Sequence, residues 1–151
     1  MNMSRSPLIR FTKLLLDFMF FSGILICITV PFIFKEAGKY FSIFKDYYIP
    51  YCVIFMIAGV FALIILWELR RMFHTVIKEN PFVKENVTSL KRMGLCSFII
   101  TVIMAVRLFF VVTPAALVLV TVFVVAGLFS LVLSQVFDQA VTYKLENDLT
   151  I

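Results

Sequence analysis

The sequence predicts an all-α integral membrane protein, a four-helix bundle of four spans, and three observations carry that prediction. Four apolar segments, roughly 14–34, 48–67, 94–112 and 115–133, are each long enough to cross a bilayer as a helix. Hydrophobic residues make up 62% of the 151 and charged residues only 15%, too few to cover the surface of a soluble domain. The basic residues also collect at alternate ends of these segments. Arg5, Arg10, Lys13, Arg70, Arg71, Lys78, Lys84, Lys91, Arg92 and Lys144 would share one side of the membrane, and only Lys35, Lys39 and Lys45 the other. By the positive-inside rule, ten against three places both termini in the cytoplasm. Residues 1–151 form one domain.

Span one follows Arg5, Arg10 and Lys13 as a signal peptide would. The run closes on Val30-Pro31-Phe32-Ile33-Phe34-Lys35, with no small-x-small cleavage motif, so it reads as an uncleaved span. Pro31 lacks an amide hydrogen and deprives the Cys27 carbonyl of its helical partner, which predicts a kink. The outer loop, Lys35 to Tyr47, brings Tyr40, Tyr47 and the adjacent Tyr48 to an interfacial belt, and Trp67 marks the opposite interface.

Beyond span two, Glu68 to His74 extend the helix out of the bilayer. Asn80-Pro81 reads as an N-cap followed by proline at the first helical position, with Glu85 in the early turns. Val83, Val87 and Leu90 then recur at helical spacing, which predicts an amphipathic cytoplasmic helix between spans two and three. Thr113-Pro114 makes a tight hairpin that forces spans three and four to be antiparallel. Leu133, Val136, Phe137, Ala140, Val141, Lys144 and Leu145 continue span four as an amphipathic helical extension.

Few residues suggest chemistry. Cys27, Cys52 and Cys96 fall in three different spans and read as small apolar packing residues. His74 is the sole histidine, between Arg71 and Lys78, and reads as a solvated surface residue with no second metal ligand near it. A base without a placed nucleophile makes no hydrolase. The sequence therefore predicts no enzyme, no cofactor and no metal. The net charge of +5 sits at the span ends, leaving no basic groove for direct nucleic-acid binding.

Arg107 is the one charge well inside a span and a candidate intramembrane polar site. It is read either as snorkelling to the outer interface or bonding hairpin carbonyls, as a pore or substrate contact, or as an ion-pair partner of Asp46 or Glu36. Asp17 reads as the i, i+4 partner of Lys13. Asn86-Val87-Thr88 matches a glycosylation sequon but lies on the predicted cytoplasmic face. Ala126, Ser130 and Ser134, like Ala58 and Ala62, form small-residue stripes that serve bundle packing or, alternatively, a homodimer.

The stretch from Asn80 to Gly94, NPFVKENVTSLKRMG, and the ending from Val136 to Ile151, closing on ENDLTI, resemble two signatures of a bacterial membrane family, domain of unknown function 2975. The resemblance implies four spans over nearly the whole chain. It also implies an association: members are typically encoded beside a small helix-turn-helix transcriptional regulator. Function is accordingly expected on the cytoplasmic side, as binding or sequestration of such a regulator. The candidate partner-binding residues are Asn80, Pro81, Phe82, Glu85, Asn86 and Leu90, with Phe137, Glu146, Asn147, Asp148 and Leu149 from the tail. The rival expectation is a small transporter or channel subunit built around Arg107.

Overall fold

The computed structural model describes residues 6–149, so Arg5, Thr150 and Ile151, named above, lie outside the described part. The described residues contain helices α1 (Pro7–Ala37), α2 (Ser42–Asp46), α3 (Tyr48–Ile77), α4 (Lys84–Phe110) and α5 (Pro114–Leu149), and no strands. The four long helices are each long and apolar enough to cross a membrane. At about 1.5 Å per residue, α4 reaches about 40 Å and α5 about 54 Å, against a hydrocarbon core of about 30 Å. Both must therefore extend well past the apolar slab.

The helices pack in sequence order. Among the described residues, α1 packs on α3, α3 on α4 and α4 on α5, while α1 touches neither α4 nor α5. The bundle is thus an open row with α3 and α4 at its centre. Its outer faces carry exposed Phe, Leu, Ile and Val, such as Phe18, Phe21, Phe109, Leu128 and Phe129. Those faces suit lipid, where an apolar surface costs nothing.

α1 and α3 run antiparallel in a plain register, each step along one matched by a step back along the other. Phe20 lies beside Trp67, Gly23 beside Leu63 and Cys27 beside Gly59, and Phe34 beside Phe55. Gly59 makes room for the Cys27 side chain: a Cβ there would stand 2.5 Å from the Cys27 Sγ. α1 passes through Pro31 as one helix, and the Pro31 carbonyl accepts a hydrogen bond from the Tyr48 hydroxyl at 3.1 Å.

α4 and α5 meet along seams spaced alternately four and three residues, the spacing of coiled-coil packing. On α5 the seam is Ala116, Val120, Phe123, Gly127, Ser130, Ser134, Phe137 and Val141, all buried or half-buried. Gly127 accommodates the Phe98 ring, which a Cβ there would approach to 3.1 Å. Ser130 and Ser134 are therefore consumed by packing inside the chain. Ala58 likewise belongs to the core, with Ile100 and Met104. The α4–α5 hairpin is closed by an N-cap: the Ala116 amide donates to the Thr113 hydroxyl at 3.2 Å, with Pro114 at the first helical position.

One expected cap is placed differently. Asn80 does not start α4, whose N-cap is Val83. It instead finishes α3. Glu79 takes a left-handed backbone with φ of 60°; its amide bonds the Val76 carbonyl, and the Asn80 amide bonds the Thr75 carbonyl. That is a Schellman motif, after which proline is common because it cannot continue the helix. The amphipathic helix between spans two and three is present, but as the first turns of α4, running without a break into span three.

Candidate functional site

The register brings the N-terminal end of α1, the C-terminal end of α3, the 78–83 connection and the C-terminal end of α5 to the same end of the row. Here the polar chemistry concentrates. The Asp17 carboxylate accepts a hydrogen bond from Arg70 Nε at 2.8 Å across the α1–α3 interface. This replaces the expected Asp17–Lys13 pair, because a guanidinium fixed on the neighbouring helix satisfies the carboxylate better than a flexible lysine on its own. The Arg70 guanidinium also stacks over the rings of Phe20 at 4.7 Å and Phe21 at 5.4 Å.

About half a turn deeper, Glu68 is 4% exposed. Its Oε1 accepts from Arg92 Nη1 at 3.3 Å, tying α3 to α4. Its Oε2 is buried without a hydrogen bond, 3.7 Å from Arg71. A single buried carboxylate thus holds two half-exposed arginines from two helices. Asn86 makes a second tie: its side-chain amide donates to the Thr75 hydroxyl at 2.7 Å and to the Pro81 carbonyl at 2.6 Å.

The predicted partner-binding residues therefore separate by burial, with Pro81 and Phe137 half-buried between the extremes. Asn86 and Leu90 are buried and build the end of the bundle from within. Asn80, Phe82 and Glu85 are exposed, as are Glu146, Asn147, Asp148 and Leu149 on the last turns of α5. Two contacts join these sets: the Phe82 and Phe137 rings pack 5.3 Å apart, and Lys144 Nζ donates to Asn80 Oδ1. Past Val141, every described residue of α5 is exposed. The result is a polar helical projection rooted on the 78–83 connection. It carries the carboxylates of Asp138, Glu146 and Asp148 against the single base Lys144, with Leu145 and Leu149 one turn apart.

Arg107 lies at the opposite end, in the last turn of α4. Its guanidinium sits over the rings of Tyr51 at 5.1 Å and Phe55 at 5.4 Å. The buried Nε has no hydrogen-bond partner. Glu36 pairs with Lys39 at 2.9 Å, and among the described residues Arg107 has no ion pair. An aromatic box, rather than hairpin carbonyls or an external carboxylate, receives this charge.

Sequence reasoning missed the roles of Glu68 and of Arg70, Arg71 and Arg92. Depth along the spans does not reveal the Asp17–Arg70 pair: Asp17 lies three residues inside the predicted start of span one, and Arg70 three beyond the predicted end of span two. Only the register that sets Phe20 beside Trp67 brings them level. The burial of Glu68 has no local signal either, since it depends on α4 passing over it.

These features define a multi-pass α-helical membrane protein with a polar, ion-paired end and an aromatic end. The chain belongs to the family described as Protein of unknown function (DUF2975), which it matches over residues 32–151. No curated protein and no solved structure matches it significantly.

Proposed function

We propose that this protein is a non-enzymatic subunit of the bacterial inner membrane, with both termini in the cytoplasm, that holds a soluble helix-turn-helix regulator at the end of α5. The observation that supports this is the projection itself. Its excess of carboxylates is repelled by anionic headgroups and directed away from the bilayer. DNA-reading proteins present a basic face, which Asp138, Glu146 and Asp148 complement in charge. Leu145 and Leu149, one turn apart, supply an apolar anchor of the kind amphipathic helices offer to grooves. A regulator whose basic face is held at the membrane is withheld from DNA, which amounts to sequestration without catalysis.

The test is retention of a purified helix-turn-helix regulator, encoded beside this protein, on the full chain in detergent micelles. Retention should fall at least tenfold in a variant carrying Glu146→Gln, Asp148→Asn and Leu149→Ala, and should weaken with salt. A full chain that retains no regulator overturns the reading; retention unchanged by the substitutions overturns the site. The second reading, a small transporter or channel subunit, draws support from the partnerless Nε of Arg107. Loss of a transport phenotype in Arg107→Ala, with the tail variant unaffected, would favour it.

A further inference from the structure

Between α1 and α3, at the polar end, lies a groove of about 350 Å³ lined by Lys13 and Asp17 on one side and by Trp67, Arg70, Arg71 and His74 on the other. Its size falls at the small end of ligand pockets. Its charge is unusual for a crevice between two membrane helices: three permanent cations face one carboxylate. Asp17 is already engaged by Arg70 Nε, which leaves the rest of that guanidinium's donors directed elsewhere. Stacking on Phe20 and Phe21 holds the plane of the guanidinium in place. Lys13 and Arg71 are exposed beside it. A preorganised arginine flanked by two exposed cations is the arrangement that receives a phosphate.

The groove's surroundings identify the source of that phosphate. Trp67, half-exposed at the lip, is an interfacial residue by type and position. On the α1 side, Leu14, Phe18 and Phe21 present exposed apolar surface next to the cations. A ligand with an anionic head and an acyl tail could satisfy both surfaces at once, whereas free phosphate would leave the apolar one unused. The hollow at the opposite end also has lysines, Lys35, Lys39 and Lys45, but no guanidinium, and Lys39 is tied to Glu36.

We propose that the α1–α3 groove binds the phosphate headgroup of an anionic phospholipid, with Arg70, Lys13 and Arg71 as its ligands. Trp67 is the sole tryptophan of the chain, so its emission reports on the groove alone. The full-length protein in neutral detergent would be titrated with dihexanoyl phosphatidylglycerol, with dihexanoyl phosphatidylcholine and inorganic phosphate as parallel arms. A saturable change with phosphatidylglycerol is expected. Its midpoint should rise about thirtyfold in Lys13→Gln/Arg71→Gln, given the usual contribution of two basic residues at an anionic surface. Lys13→Arg/Arg71→Lys should stay within about threefold of wild type, which distinguishes lost charge from misfolding. Lys84→Gln/Lys91→Gln, exposed on α4 outside the groove, should leave the midpoint unchanged. An equal response to phosphatidylcholine, or an unshifted midpoint in Lys13→Gln/Arg71→Gln, overturns the site. Saturation by inorganic phosphate at the same concentration as phosphatidylglycerol overturns the lipid assignment.

Discussion

Replacing Arg92 with alanine leaves the Glu68 carboxylate, 4% exposed, with Arg71 at 3.7 Å as its one counter-charge. Replacing Glu68 with glutamine instead removes the buried charge and leaves two arginines that are each about half exposed and can turn to solvent or headgroups. The two substitutions break the same ion pair, yet their costs should differ. For Arg92→Ala, the lost bond at 3.3 Å is charge-assisted and its acceptor stays buried, which costs about 1.5–3 kcal/mol. Solvent around Arg92 screens the bare Coulomb attraction, so the lower half of that range is expected. Glu68→Gln loses the attraction but also the expense of burying a carboxylate whose Oε2 has no hydrogen bond; the balance should lie within about 1 kcal/mol of zero. The double variant should then cost less than the two singles together, with a coupling of about 1 kcal/mol. Unfolding in mild detergent, followed by far-UV circular dichroism against SDS fraction or temperature, measures all three. A larger loss for Glu68→Gln than for Arg92→Ala, or strict additivity, would refute the idea that Glu68 is a buried charge in need of its partners.

Three further outcomes follow from close contacts. Gly59→Ala should destabilise by about 1–3 kcal/mol, since its Cβ would stand 2.5 Å from Cys27 Sγ; Cys27→Ala in the same chain should recover most of the loss in the same unfolding assay. Phe137→Ala removes the ring partner of Phe82, a pair contributing about 0.5–1.5 kcal/mol. Amide exchange over residues 142–149 should quicken while that of the spans stays unchanged. Arg107→Leu gives up its stacking on Tyr51 and Phe55 but also removes a buried, partnerless donor. The two effects should nearly cancel, to within about 1 kcal/mol, and a loss above about 2 kcal/mol would point to a partner beyond the aromatic box.

The spans were legible in the sequence because lipid imposes a composition on each helix separately: about twenty apolar residues, whatever the neighbours. Helix ends were less legible. Asn80-Pro81 satisfies the pattern for starting a helix and, equally, the pattern for ending one, and only the left-handed backbone at Glu79 decides between them. The small-residue stripe on α5 was readable as packing, but not which helix it packs against. Gly127, the member that decides this by admitting Phe98, lay outside the stripe read from Ala126. Tertiary pairing also explains why the sequence matches Asp17 with Lys13. Spacing along one helix is visible in a sequence, whereas the register of α1 against α3 appears only when Gly59 and Cys27 are seen to interlock.

The open row gives α3 a particular position between the two proposed sites. α1 has no contact with α5 among the described residues, so anything that happens in the α1–α3 groove must reach the projecting tail through α3 and then through α4 or the 78–83 connection. Arg71 stands on that route: it lines the groove and also faces Glu68 at 3.7 Å, whose other oxygen holds Arg92 of α4. Phosphate and Glu68 would compete for the same guanidinium. If a headgroup draws Arg71 outward, Glu68 is left to Arg92 alone, and the α3–α4 tie that positions the 78–83 connection beneath Phe137 and Lys144 strengthens. Lys13, on α1, contributes to the groove without touching Glu68. Lys13→Gln and Arg71→Gln should therefore weaken lipid binding alike, yet only Arg71→Gln should abolish an effect of phosphatidylglycerol on regulator retention: at lipid saturation, the Lys13 variant keeps the effect and the Arg71 variant loses it. Equal behaviour of the two variants at saturation would mean that the groove and the tail act independently, however close they lie.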